Sequence, residues 1–184
     1  MVNTPKNLES FFLKNILEQL RPLKKWLGGV CISGGEPALD PTLPDILLKL
    51  KTEGYELKID TNGSRPEVLK SLLDQGMLHM ISMDVKAPLD QDKYNRVAGI
   101  NVDLDLIRKS IDLIRRSGID HEFRMTVVPG LHQEEDVVHW RPQLGDQSPL
   151  KIQNYKPDSV LDPLQAGTAS FNPYQFRALE KIIE

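Results

Sequence analysis

Short runs of strand-forming residues recur five times along this chain, separated by stretches of helical periodicity, and that alternation limits its fold more than any other feature. The strand-like runs are Gly28–Gly34, with Val30-Cys31-Ile32 at its centre, then Leu57–Thr61, Met80–Val85, Phe123–Val128 and Leu150–Tyr155. Between them, Leu43, Ile46, Leu47 and Leu50 fall at i, i+3, i+4 and i+7 and predict an amphipathic helix ending before Gly54. A second helix runs from Pro66 to Gln75 and stops at Gly76. A longer one carries Leu104, Ile107, Ile111 and Ile114, with Gly118 at its C-terminus. Residues 7–20 place Leu8, Phe11, Phe12, Ile16, Leu17 and Leu20 on one helical face, and Pro22 disturbs the end of that helix. A helix near Glu134–Trp140 follows the turn Pro129-Gly130. Asn172-Pro173 supplies an N-cap and first-turn pair for a last helix with Phe176, Leu179 and Ile183 inward.

Strands and helices in this order predict an α/β fold with a parallel sheet and right-handed crossovers. Periodicity alone leaves open a doubly wound sheet or a curved partial (β/α) barrel. A length of 184 residues favours a single domain, with 158–184 expected as a C-terminal loop and helix. With 40% hydrophobic and 27% charged residues the chain has an ordinary globular composition. A net charge of −3 argues against a nucleic-acid partner. No apolar run approaches a membrane span, and Met1-Val2-Asn3-Thr4-Pro5-Lys6 has no signal pattern, so the expected location is cytoplasmic. One cysteine, Cys31, rules out an intrachain disulfide and any cluster or zinc site built from cysteines. The four histidines, His79, His121, His132 and His139, have no paired-ligand spacing.

In both candidate architectures ligands gather at the carboxyl ends of the strands, and there the polar residues cluster. The first strand ends in Ser33-Gly34-Gly35-Glu36-Pro37, the second in Asp60-Thr61-Asn62-Gly63, and the third in Asp84 and then Lys86. The fourth gives Arg124, Thr126 and the turn Pro129-Gly130; the fifth gives Gln153, Asn154, Tyr155 and Lys156. Adjacent glycines let a ligand approach the backbone closely. Glu36, Asp60 and Asp84 are acceptors for an ammonium, a ribose hydroxyl or a metal ion; Lys86 and Arg124 are donors for a carboxylate. A zwitterionic amino-acid ligand satisfies both sets. Each segment also has a structural reading. Gly34-Gly35 makes a tight turn, Asp60–Gly63 caps a helix, and Asp84 with Lys86 forms an ion pair. Cys31, in mid-strand, reads as a buried small hydrophobe, His132 as a solvated loop histidine, and Trp26 and Trp140 as packing residues.

As a set, these segments resemble one family. Val30-Cys31-Ile32-Ser33-Gly34-Gly35-Glu36-Pro37 looks like the GGEP strand of radical S-adenosylmethionine enzymes. Lys58-Ile59-Asp60-Thr61-Asn62-Gly63, Met83-Asp84-Val85-Lys86-Ala87-Pro88 and Phe123-Arg124-Met125-Thr126-Val127-Val128-Pro129-Gly130 look like the strands that follow it. The likeness covers residues 28–157 and is greatest to the activating proteins of anaerobic ribonucleoside-triphosphate reductase, then to pyruvate formate-lyase activators. It implies a partial barrel, S-adenosylmethionine and a 4Fe–4S cluster on a C-x-x-x-C-x-x-C loop. It also implies a 5′-deoxyadenosyl radical and, as partner, a glycyl-radical enzyme. Carried over, Gly34, Gly35 and Glu36 receive the cofactor's ammonium and Pro37 fixes the turn. Asp60, Thr61 and Asp84 match positions that hold a monovalent cation, with Ser82 contributing through its backbone. Lys86 and Arg124 match cofactor-contacting positions, Asn62 and Tyr155 are placed at the ribose or adenine, and Thr126 belongs to the same strand-end set.

The chain departs from the family in lacking the cluster loop and the strand before it, so five of the usual six strands are expected and this chain is not expected to bind the cluster. Cys31 lies within the next strand and cannot replace three thiolates. The expectation taken forward is a shortened, inactive form of a longer activase. The alternative is a natural non-catalytic relative that binds S-adenosylmethionine, a nucleotide or a protein. An unrelated α/β enzyme with Glu36, Asp60 and Asp84 as divalent-metal ligands is a third reading. Without a preceding strand, the Val30 region lies at a sheet edge and invites self-association.

Overall fold

The computed structural model describes residues 13–145, 147–157 and 168–184. Its elements run in the order α1 (Leu13–Leu20), β1 (Val30–Ile32), α2 (Leu43–Thr52), β2 (Leu57–Thr61), α3 (Pro66–Asp74) and β3 (Met80–Asp84). There follow α4 (Gln91–Ala98), α5 (Leu104–Arg116), β4 (Asp120–Val127), α6 (Glu134–Leu144), β5 (Leu150–Asn154) and α7 (Pro173–Ile183). The part of the first predicted helix that holds Leu8, Phe11 and Phe12 lies outside the described residues, as does most of the loop opening the predicted C-terminal segment.

Alternation along the strands decides which face is buried. In β2, Leu57, Ile59 and Thr61 are buried, while Lys58 and Asp60 are half-buried on the other face. Register carries this division across the sheet. Asp60 stands opposite Ser82 on β3, Ser82 opposite Glu122 on β4, and Asp84 opposite Arg124. One face is therefore apolar and packs against Leu43, Leu47 and Leu50 of α2, Leu69 and Leu72 of α3, Ile107, Ile111 and Ile114 of α5, and Val137 and Trp140 of α6. The opposite face carries Cys31, Lys58, Asp60, Ser82, Asp84, Glu122, Arg124 and Thr126.

All strand pairs are parallel and the order is β1-β2-β3-β4-β5. A doubly wound sheet needs a reversal of strand order so that helices cover both faces. Here the order is sequential and the core lies on one face, which is the arrangement of a partial barrel. β1 pairs only with β2 among the described residues and is an edge, as expected.

Several elements differ from the sequence reading. α4 was not foreseen: Tyr94 and Val97 are the larger apolar residues of an otherwise polar helix. Its ends are well capped, with the Asp90 side chain accepting from the Lys93 N–H and Gly99 in the left-handed region at φ 69°. β4 begins three residues earlier than the apolar pattern suggests, because Asp120, His121 and Glu122 pair with Met80, Ile81 and Ser82. α6 continues through Pro142 to Leu144. Trp140 is fully buried as expected, but Trp26, read as a packing residue, is 88% exposed beyond the short turn Arg21–Leu23. Cys31, read as buried, is exposed; strand alternation sends Val30 and Ile32 toward the helices and Cys31 to the polar face. His132, read as solvated, is buried. No helix among the described residues is long and apolar enough to cross a membrane.

Candidate functional site

The carboxyl ends of β1 to β4 open into a cavity of about 590 Å³. Nine of the twelve residues singled out in the sequence line it: Gly34, Gly35, Glu36, Asp60, Thr61, Asn62, Asp84, Lys86 and Arg124. Pro37 is buried beneath the rim as the first residue of the turn Pro37–Leu39. Thr126 is exposed further along β4, and Tyr155 is buried past β5; neither borders the cavity. The far wall, which the sequence did not suggest, comes from α4, the segment after it and α5: Tyr94, Ala98, Ile100, Asn101, Val102, Asp103, Leu106 and Ile107. The pocket thus has a charged floor and a largely apolar wall.

At the end of β1 the chain turns through Gly34 and Gly35 at φ 101° and 48°, a left-handed conformation that glycine adopts without strain. A Cβ built at either position would meet nothing within 4 Å, so the backbone there faces open space. Glu36 then folds over the turn. Its Oε1 accepts from the Ala38 N–H at 3.1 Å and the Thr61 hydroxyl at 2.8 Å; its Oε2 accepts from the Asn62 N–H at 2.6 Å. Thr61 Oγ1 in turn accepts from the Gly63 N–H, and Asn62 Oδ1 from the Ser64 N–H. The tight-turn reading of Gly34-Gly35 therefore holds alongside its place in the site, whereas Asp60–Gly63 closes a turn on itself and does not cap a helix: Arg65 is the N-cap of α3 and no side chain caps it.

The floor is a ladder of charge. Arg124 Nε donates to Asp84 at 2.9 Å and its Nη1 to Asp60 at 3.2 Å. Lys86 Nζ lies 3.6 Å from the other Asp84 oxygen, which bears out the Asp84–Lys86 ion pair. Lys58 Nζ is 3.4 Å from Asp60 Oδ1 and 3.7 Å from Glu122, whose carboxylate accepts from Ser82 at 2.7 Å. Burial tends to raise the Asp60 pKa, but the attraction of Arg124 and Lys58 outweighs it and holds the carboxyl below its usual range. Arg124 is lifted correspondingly: burial opposes its charge and the two aspartates more than compensate. Asp60 Oδ1 is buried with no hydrogen-bond donor among the described residues. The Tyr94 hydroxyl, at the wall, is pushed up to about 12, chiefly by burial.

These groups match the needs of a zwitterionic amino-acid ligand. Open glycine backbone and carboxylates face an ammonium, and Lys86 and Arg124 face a carboxylate. Among the described residues no group of three or more His, Cys, Asp or Glu side chains could hold a metal ion, and a guanidinium already bridges Asp60 and Asp84. Thr61 directs its hydroxyl to Glu36. An iron–sulfur cluster held by three thiolates does not fit: Cys31 is the one cysteine of the chain and lies within β1, before the rim.

Comparison with known proteins agrees with the geometry. The model of the radical SAM superfamily matches residues 3–140. A protein of Methanocaldococcus jannaschii named for glycyl-radical enzyme activation is 33% identical over 138 residues, which cover 72% of this chain and 57% of that protein. A protein of Pyrococcus horikoshii named as a GTP 3′,8-cyclase is 28% identical over 69% of this chain and 41% of its own length. This chain therefore spans about half the length of these relatives. The crystal structure of a domain of a pyruvate-formate lyase-activating enzyme from Bacteroides vulgatus superposes with a TM-score of 0.66 at 19% identity, covering 85% of this chain and 93% of that one, which shows a shared fold. A sequential parallel sheet, a glycine-glycine-glutamate turn at its rim and a family match over most of the residues lead to one assignment: the chain belongs to the radical SAM superfamily.

Proposed function

We propose that this chain is a barrel of the glycyl-radical-enzyme activase type and that its rim cavity receives the amino-acid end of S-adenosylmethionine. One observation carries the reading. Glu36, Asp60, Asp84, Lys86 and Arg124, from four different strand ends, border a single cavity beside the open Gly34-Gly35 backbone. The superfamily itself implies S-adenosylmethionine, and the name of the M. jannaschii relative supports a glycyl-radical enzyme as partner. Within that class we favour an anaerobic ribonucleotide reductase-like partner on the strand-end motifs. When bound, S-adenosylmethionine supplies the sulfonium bond that the family's chemistry opens. In this chain Gly34, Gly35 and Glu36 take the ammonium side, Lys86 and Arg124 the carboxylate side, and Asn62 the nucleoside. Asp60, Thr61 and Asp84 keep the cation-holding role only through oxygens not turned to Arg124 and Glu36.

The single cysteine favours a second reading, a module that binds S-adenosylmethionine or a nucleotide without radical chemistry. Two measurements on this chain separate these readings from failure. Calorimetric titration with S-adenosylmethionine should give saturable binding that is weakened by Asp84→Asn and Lys86→Met; wild-type protein with no binding, or variants with unchanged binding, would remove the site assignment. Anaerobic treatment with iron and sulfide should leave the chain colourless. A stoichiometric brown cluster would overturn the non-catalytic reading of this chain. The β1 edge is retained as a self-pairing surface, and light scattering that reports a monomer at high concentration would dismiss it.

A further inference from the structure

Lys86 leaves the sheet with neither of its backbone polar groups bonded to backbone among the described residues. Two buried side chains satisfy them instead. Its N–H donates to the Tyr94 hydroxyl at 3.2 Å, and its carbonyl accepts from His132 Nε2 at 2.9 Å. The other ring nitrogen, Nδ1, accepts the Val128 N–H at 3.0 Å. That pattern admits one form of the imidazole, neutral with its proton on Nε2. The ring ties the exit of β3 to the exit of β4, and Tyr94 ties the preceding peptide of the same residue to α4. Both side chains are 2% exposed, whereas the Lys86 side chain is 42% exposed and reaches to within 3.6 Å of Asp84.

We propose that Tyr94 and His132 are positioning residues, a two-sided clamp on the backbone either side of the Lys86 Cα that presents the Lys86 ammonium to the carboxylate of the bound amino-acid ligand. The inference rests on the reading of Lys86 as a carboxylate partner. A lysine side chain is long and mobile, so its contribution to binding depends on how well its backbone anchor is held. A buried clamp supplies that order before the ligand arrives.

Burial holds the His132 pKa below 6.5. The charges that face the ring are Asp136 of α6 and Lys93 of α4, themselves paired at 2.7 Å and opposed in effect. Protonation would put a hydrogen on Nδ1 opposite the Val128 N–H, two donors facing each other, and the clamp would open. Ligand affinity should therefore fall as pH drops through the folded-state pKa of His132.

The test uses this chain with S-adenosylmethionine and with decarboxylated S-adenosylmethionine, which lacks the group Lys86 is read to meet. Lys86→Met should weaken the first ligand roughly tenfold, the worth of one charge-assisted hydrogen bond, and leave the second unchanged. His132→Phe and Tyr94→Phe should reproduce that selective loss. His132→Gln, which keeps a donor toward the Lys86 carbonyl, should restore binding and abolish its pH dependence. Equal weakening of both ligands by His132→Phe, or no weakening where Lys86→Met has one, overturns the clamp. If Lys86→Met changes nothing, the carboxylate reading falls. The clamp is then decided by nitrogen NMR of the unmodified protein, which also decides it if the phenylalanine variant does not fold or neither ligand binds. His132 should show the Nε2–H tautomer, and the Lys86 amide shift should follow the His132 titration; an Nδ1–H ring or an indifferent Lys86 amide overturns it.

Discussion

Arg124 Nε meets Asp84 Oδ1 at 2.9 Å across directly opposed positions of β3 and β4, and the same guanidinium reaches Asp60 on β2 through Nη1 at 3.2 Å. One cation thus joins three adjacent strands at the rim. With an Arg124 side chain 13% exposed and aspartates at 20% and 35%, the cluster is largely shielded, and removing one member leaves uncompensated charge. Arg124→Met should cost about 2 kcal/mol, less than a fully buried pair because water still reaches Asp84. Replacing both aspartates by asparagine in the same chain should recover most of that loss. The sign with pH follows from Asp60. Its folded pKa lies below the usual 3.8, so its contribution is complete above that value and is lost as pH falls through the folded pKa. In Arg124→Met the folded pKa of Asp60 rises, so the stability this carboxyl loses on acidification should shrink, as read by urea midpoints across an acid series.

Glu36 is the second hub, and its role is as much structural as ligand-binding. Three donors converge on its two oxygens, from Ala38, Thr61 and Asn62. Glu36→Ala leaves them without acceptors and should destabilise by about 3 kcal/mol, at roughly 1 kcal/mol per donor. Glu36→Gln keeps the oxygen that serves Ala38 and Thr61 but sets an amide N–H against the Asn62 N–H, and should cost about 1 kcal/mol. Paired denaturation curves check the ordering, and equal losses would show that the Asn62 contact carries the whole effect.

The positions of these hubs were readable before any coordinates because each sits at the carboxyl end of an apolar run, and the strand-helix alternation dictates that such ends share one rim. The bounds of β2 followed for the same reason and agree at both ends, whereas β1 is shorter than the glycine-bracketed run and β4 begins earlier than its apolar run. The far wall was not readable. α4 buries one residue, Tyr94, so it has almost no apolar stripe, and its signature lies in caps four residues before and five after that tyrosine, at Asp90 and Gly99. The internal engagement of Glu36 was also hidden, since a carboxylate serving backbone N–H groups and one serving a ligand look alike in sequence. Cys31 was a recoverable miss. The alternation that faces Val30 and Ile32 toward the core sends the residue between them to the polar side.

Gly63 gives a sharp contrast with another left-handed glycine. It has φ 76°, and a Cβ there would come within 2.0 Å of Met83 Cε and 3.3 Å of Ser110 Cβ. Met83 is fully buried, so its thioether must repack among core neighbours to make room, and the Gly63 carbonyl accepts from the Ser110 hydroxyl at 2.6 Å. Gly118 has a similar φ of 74° with nothing within 4 Å. Gly118→Ala should therefore cost about 1 kcal/mol for backbone conformation alone, and Gly63→Ala about 2–4 kcal/mol in total because overpacking is added. Thermal melts should rank them in that order, and similar losses would mean that the Met83 pocket yields easily.

Cys31 shares the polar face with Asp60, and its exposure does not make it reactive. Partial burial raises the thiol pKa, the negative charge of Asp60 raises it further, and Lys58 and Arg124 only partly oppose them. The thiolate is the reacting species, so labelling with a neutral alkylating reagent should run to one equivalent per chain, with a rate that rises through a midpoint above 9.0, the ordinary value for this thiol. Asp60→Asn should lower that midpoint without altering the stoichiometry, while Lys58→Met should raise it. A midpoint below 9.0 in the unmodified protein would mean that Lys58 and Arg124, rather than burial and Asp60, dominate the field at β1. The charge ladder of the rim would then extend its positive end toward the sheet edge.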